Sequence, residues 1–157
     1  MKTIVVYYSK HGSAKTIAER AAEELQCDCV DVKSITAIQA QQVLLVCGVY
    51  IGRIPKEMKE LIHQLPADTR IGFLKVGLNA DDIAKILEEN LKEDKEKISF
   101  YRHAGGVLTM SKLGLFEKLI IRMVNSQSHM IEKGDKRDTH SFLREEEIQN
   151  FLKSAAV

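Results

Sequence analysis

The sequence predicts a three-layer α/β fold: a doubly wound, five-stranded parallel sheet in the order 2-1-3-4-5, with an insertion before the last helix. Two observations carry this. Short, continuously apolar, β-prone runs alternate with segments of helical period along most of the chain, the pattern of a parallel sheet covered on both faces. The 157 residues, 45% hydrophobic and 29% charged, suit one ordinary domain spanning 1–157.

Thr3 to Tyr8 reads as a central strand, apolar on both faces. From Ala14 the period changes: Ala14, Ile17, Ala18, Ala21 and Leu25 share one helical face. A second strand is expected over Asp28–Val32 and a third over Val43–Val49. Pro55 suits the first turn of a helix whose inner face is Met58, Leu61, Ile62 and Leu65. Arg70–Val76 reads as the fourth strand. Asn79 is the expected N-cap of a helix with Asp81 and Asp82 in its first turn and Ile83, Ile86, Leu87 and Leu91 inward. Lys97–Tyr101 is the fifth strand. Arg144–Ala155 closes the chain as a helix with Ile148, Phe151, Leu152 and Ala155 inward.

The segment 107–143 is long for a plain connection. Its first part, Leu113–Val124, is helical and strongly apolar. Its second part, Ser126–His140, is polar and basic. Two readings stand: a helix packed on the sheet, or an apolar wall beside a site, with 113–124 offering peripheral contact to a membrane or partner.

In doubly wound sheets, ligands bind at the carboxyl ends of the strands where the strand order reverses. That directs attention to three loops. Ser9-Lys10-His11-Gly12-Ser13-Ala14 offers hydroxyls, a flexible glycine, a cation and a helix N-terminus, which together can close around a phosphate. Taken alone, it equally describes a helix start capped by Ser9 or Ser13. It matches neither the P-loop nor the dinucleotide fingerprint. Gly48 to Pro55 follows a buried strand and sets Tyr50 and Ile51 between glycines, with Arg53 after them; a flat aromatic ligand needs such a face. Gly77-Leu78-Asn79 puts a glycine at the exit of strand four, where backbone can approach a ligand. His103, beside Gly105 and Gly106, is a further candidate for contact with a substrate. No metal site is expected: Cys27, Cys29 and Cys47 lack a fourth ligand at suitable spacing and read as reduced, buried side chains.

The run Y-Y-S-K-H-G-S-A-K-T-I-A from Tyr7 to Ala18 resembles the phosphate loop and first helix of flavodoxins, and G-V-Y-I-G-R-I-P from Gly48 resembles their second flavin loop. F-Y-R-H-A-G-G-V-L, then K-L-G-L-F-E-K-L-I-I-R-M-V, then K-R-D-T-H is similar to the flavodoxin-domain proteins around menaquinone-dependent protoporphyrinogen oxidase. The resemblance implies FMN, with its phosphate on Ser9, Lys10, His11, Gly12, Ser13 and Ala14. It implies ring contacts from Tyr50, Ile51, Gly52 and Arg53 and from Gly77, Leu78 and Asn79. It implies a redox role, with a quinone, a porphyrinogen or a redox protein as partner and oxidoreductase activity as an open extension. His11 and Ala14 stand where flavodoxins commonly have Thr, so the cradle leans on backbone N–H groups.

Charge and motif content exclude other classes. A net charge of +1 gives no concentrated positive field for nucleic acid, and also lacks the acidic surface usual for a diffusing flavodoxin. A receiver domain needs an acidic pair after strand one and an Asp ending strand three; here stand Tyr7-Tyr8-Ser9 and Cys47-Gly48. A cofactor-free interaction module on the same fold is the alternative. The chain opens directly on a strand, so no signal peptide is expected and a cytoplasmic setting is.

Overall fold

The computed structural model describes all residues except 79–81, 130 and 133, and the side chains of 124, 127 and 128 are likewise left aside. The main sheet holds β1 (Thr3–Tyr8), β2 (Asp28–Asp31), β3 (Gln42–Gly48), β4 (Arg70–Val76) and β5 (Ile98–Gly105). All neighbours are parallel and the order is β2-β1-β3-β4-β5, as the alternation of elements predicts. Every residue of β3 is buried. Its side chains alternate strictly: Val43, Leu45 and Cys47 enter one core, Leu44 and Val46 the other. That is why the strand reads as continuously apolar rather than alternating.

Two helical layers complete these cores. On one face lie α2 (Lys56–Gln64) and α3 (Ile83–Leu91), packed on Phe73 and Ile71 through Met58, Ile62, Ile86 and Leu87. On the other lie α1 (Ser13–Leu25) and α5 (Glu145–Ala155). There Ala14, Ala18, Ala21 and Ala22 bring α1 against the sheet, and Phe151 packs on Phe100 at 5.2 Å between ring centroids.

A polar cluster closes the amino end of the sheet. The Gln42 amide donates to the carbonyl of Ala155 at 2.9 Å, and Arg70 donates to the carbonyl of Ser154 at 2.9 Å and to Gln42. Arg70 also lies over the Phe100 ring at 4.6 Å. These contacts tie the last turn of α5 to β3 and β4, which leaves the carboxyl end of the sheet as the open one.

Several boundaries differ from expectation. Pro55 is the N-cap of α2 rather than part of its first turn. Asp82 caps α3, accepting a hydrogen bond from the N–H of Ala84 at 3.0 Å; the expected cap, Asn79, lies outside the described residues. β2 stops at Asp31 and turns into a short 3-10 segment over Val32–Ser34. β5 runs four residues past Tyr101 to Gly105, because Arg102, His103 and Gly105 continue the pairing with Leu74, Lys75 and Val76 of β4.

The insertion has its own order. β6 (Val107–Thr109) pairs antiparallel with β7 (Thr139–Ser141), and α4 (Leu115–Ser128) lies between them. The two ends of the insertion meet tightly at Gly105. Its φ is +73°, and a Cβ there would lie 2.0 Å from the Phe142 carbonyl oxygen. Only glycine fits that crossing.

Candidate functional site

The strand ends of β1, β3, β4 and β5 and the insertion enclose one cavity of about 520 Å³. This lies in the range of pockets that hold small molecules and cofactors. Of the residues singled out from sequence, Lys10, His11, Ser13, Ala14, Tyr50, Ile51, Gly52, Gly77 and Leu78 line it. Ser9, Gly12 and Arg53 shape the loops without lining the cavity. Asn79 lies outside the described residues. His103, buried on β5 opposite Lys75, does not line the cavity, so the structure does not place it at a substrate.

The first loop is built around Gly12, which caps α1 in a left-handed conformation (φ +97°). Neither serine caps the helix. Instead the N–H of Gly12 donates to Ser9 Oγ at 2.9 Å, and Ser13 Oγ donates to the carbonyl of Val107 at 3.1 Å. The first turn of α1 is therefore left with backbone N–H groups that have no intrahelical partner, at the positive end of the helix dipole. With Ser9 and Ser13 Oγ engaged in this way, the loop could offer an anion backbone donors rather than hydroxyl donors.

The second loop is a tight turn. Tyr50 and Arg53 exchange backbone hydrogen bonds at 3.4 and 3.0 Å around Ile51 (φ +53°) and Gly52 (φ +68°). Two successive left-handed residues make the twist of a type I′ turn. A β-branched residue is strained there, and Ile51 also projects into solvent, 68% exposed. Asn90 of α3 holds the turn in place: its amide donates to the Gly52 carbonyl at 2.9 Å, and its Oδ1 accepts from the N–H of Ile54 at 2.9 Å. The Tyr50 ring folds back over Gly48, and its hydroxyl accepts from the N–H of Lys10 at 3.1 Å. Burial pushes the Tyr50 phenol up to about 12, so it stays neutral at physiological pH.

The remaining wall comes from the insertion. Leu113, Phe116, Glu117, Ile120 and Ile121 line the cavity. The Glu117 carboxylate lies 2.6 Å from His11 Nε2 and 3.3 Å from Lys10 Nζ, and accepts from the N–H of Gly114 at 3.3 Å. Lys112 Nζ donates to the carbonyl of His11 at 3.2 Å. Of the two readings of this segment, the structure supports the apolar wall. α4 also leaves large apolar side chains uncovered: Leu115, Phe116, Leu119 and Met123 are 88, 70, 50 and 61% exposed.

Sequence reasoning missed Glu117, Asn90 and Lys75. Lys75 lines the cavity yet is only 1% exposed. A lysine inside the buried run Arg70–Val76 was its one visible signal. Glu117 had one too, its place three residues after the Gly114 that starts a helix. Asn90 looked like any polar residue near a helix end.

The flavodoxin domain family matches residues 4–139. The chain belongs to the flavodoxin-domain family. Flavodoxin FldP of Pseudomonas aeruginosa (strain UCBPP-PA14) is 34% identical over 68 residues, covering 38% of this chain; the match spans 37% of that relative's length. Among solved structures, the flavodoxin of Streptococcus pneumoniae TIGR4 is similar over the full length of both chains, with a TM-score of 0.55 at 16% identity. The flavodiiron core of Flv1 from Synechocystis sp. PCC6803 is similar over 67% of this chain and 30% of that one, with a TM-score of 0.52 at 13% identity. At such identities the solved structures establish the fold. The family match and the flavodoxin relative indicate FMN as the cofactor.

The residues present fit FMN. A backbone cradle with flanking cations suits its phosphate, and the apolar space between the Tyr50–Arg53 turn, Leu78 and α4 suits its ring. Cys47, directly behind, is not a competing redox group: it is fully buried, and burial pushes its thiol well above the usual range. Among the described residues no cluster of His, Cys, Asp and Glu could hold a metal, and no helix is long and apolar enough to cross a membrane.

Proposed function

We propose that FMN binds with its phosphate on the loop from Ser9 to Ala14 and its ring between Tyr50, Ile51, Gly52, Gly77 and Leu78, and exchanges electrons with an apolar partner reached along α4. The observation that carries this is the convergence of three loops from separate strand ends, and the wall of α4, on one cavity. Bound FMN supplies one- and two-electron redox chemistry. The chain's own groups bind, orient and shield it. No side-chain acid or base is required.

The partner's chemistry is read from α4. Its exposed Leu115, Phe116, Leu119 and Met123 lie beside exposed Lys118 and Arg122. An apolar ridge flanked by cations suits a quinone in an anionic membrane, a porphyrinogen or a redox protein better than it suits free diffusion. The resemblance of the insertion to that of menaquinone-dependent protoporphyrinogen oxidase points the same way. A cytoplasmic setting belongs to this reading, in keeping with three free cysteines.

Two steps test the proposal. The purified protein is expected to show flavin absorbance on addition of FMN; a protein that stays colourless in excess FMN leaves the cofactor-free module as the better reading. Leu115→Asp with Leu119→Asp is then expected to keep FMN binding while slowing flavin reoxidation by vesicle-borne quinone at least tenfold. Unchanged reoxidation by every partner of the three classes would remove α4 from the electron route.

A further inference from the structure

The contact between the insertion and the first loop is electrostatic, and it uses the same groups an incoming phosphate needs. Lys10 and His11 are the side-chain donors that the first loop contributes to the cavity besides Ser13, whose hydroxyl is committed to the carbonyl of Val107. Both meet Glu117, at 3.3 and 2.6 Å. The carboxylate is also held by its own helix, through the N–H of Gly114. Burial pushes its carboxyl up, but donation from His11, Gly114 and Lys10 outweighs this and holds it below the usual carboxylate range. Glu117 is thus an anion at physiological pH, seated at the mouth of an anion cradle.

We propose that Glu117 sets how strongly the site discriminates a phosphorylated flavin from a phosphate-free one, because it engages Lys10 and His11, the two side chains of the first loop free to meet a flavin phosphate. The inference rests on the FMN reading above and deepens it. A phosphate on this loop carries up to two negative charges. It can pair with Lys10 and His11 only by sharing them with Glu117 or by displacing it. Either way the carboxylate offsets part of the attraction of the cradle, and the offset falls on the phosphate alone. The isoalloxazine ring, which meets apolar walls, does not register it. Displacement also has a mechanical consequence: Glu117 is a tether between α4 and the first loop, so phosphate binding loosens the wall that faces the redox partner.

The test titrates FMN and riboflavin, by quenching of flavin fluorescence, into the full-length protein and into Glu117→Gln. The expected result is FMN affinity about tenfold higher in the variant, from removal of one charge beside the phosphate, with riboflavin affinity changed less than twofold. A ratio of FMN to riboflavin affinity that stays the same or falls overturns the proposal; a fall would make Glu117 a group that orients His11 toward the phosphate instead. If the variant does not fold, amide exchange of the unaltered protein decides. Exchange over residues 115–121 is expected to rise with FMN and not with riboflavin, and equal exchange with both flavins overturns the proposal. Failure of the unaltered protein to take up either flavin would fell the FMN reading itself, whereas an unchanged ratio in a protein that binds both fells only the role of Glu117.

Discussion

The two halves of the site wall are stabilised in different ways. β3 and β4 are held by burial: Leu44, Leu45, Phe73 and Leu74 are fully buried between helical layers. α4 is held by a few polar contacts at its amino end, through Glu117 and Lys112, while four of its large apolar side chains face solvent. Burial of an apolar side chain contributes about 1.5–3 kcal/mol, whereas an exposed ion pair contributes about 0–1. The framework that positions the first two loops is therefore rigid, and the α4 wall is the part free to respond. Regions that move in function are drawn from the low-stability end of a structure, and α4 has that composition.

The largest effect that would sharpen this contrast comes from matched truncations. Phe73→Ala, at a fully buried position, is expected to cost about 3–5 kcal/mol in urea unfolding. Phe116→Ala, at a position 70% exposed, is expected to cost less than about 0.5 kcal/mol. Equal costs would mean that α4 is part of the core after all.

A middle-sized effect is expected at Ile51. Its left-handed backbone disfavours a β-branched residue by about 1–2 kcal/mol. Ile51→Asn, which tolerates that conformation, is expected to raise stability by about 0.5–1 kcal/mol and to weaken flavin binding by removing an apolar side chain from the cavity rim. A variant stabilised with flavin affinity unchanged would show that Ile51 does not touch the ring.

The smallest effect is acid-dependent. The Glu117 carboxyl is held below its ordinary value of 4.5 in the folded protein. Its tether is therefore fully present above that ordinary range and is lost as pH falls through the lowered folded value. Amide protection over residues 115–121, corrected for intrinsic exchange, is expected to drop between pH 6 and pH 3 (roughly the window of carboxylate titration) while β3 keeps its protection. Loss of protection in both together would show that α4 and the sheet unfold as one unit.

Much of this molecule was legible in its residues. Continuous apolar runs named β1 and β3, since central strands of a parallel sheet leave little room for polar side chains, and β-prone segments alternating with helical ones named the other three strands of the main sheet. Helical spacing named the inner faces of α1, α2, α3 and α5 through particular residues such as Ile17, Met58, Ile86 and Phe151. Given the strand order, the switch-point rule selected the three loops, and nine of their residues line the cavity. What escaped were contacts between distant segments. Glu117 meets His11 across 106 positions, and Asn90 steadies Gly52 across 38. No local period or motif encodes such pairs, because a polar side chain has the same propensities whether it meets water or a loop.

By itself, then, the sequence determined the layers, the strand order and three loops whose residues line one cavity, because burial on a regular lattice writes itself as periodicity. Only the tertiary structure decided that the insertion stands as a wall rather than lying on the sheet. It alone showed that a carboxylate, Glu117, sits against Lys10 and His11 of the first loop. The physical reason is the same in both cases. Ion pairs and steric crossings such as Glu117 with Lys10, or Gly105 against Phe142, depend on which chain segments the fold brings within a few ångströms, not on the order in which they are joined.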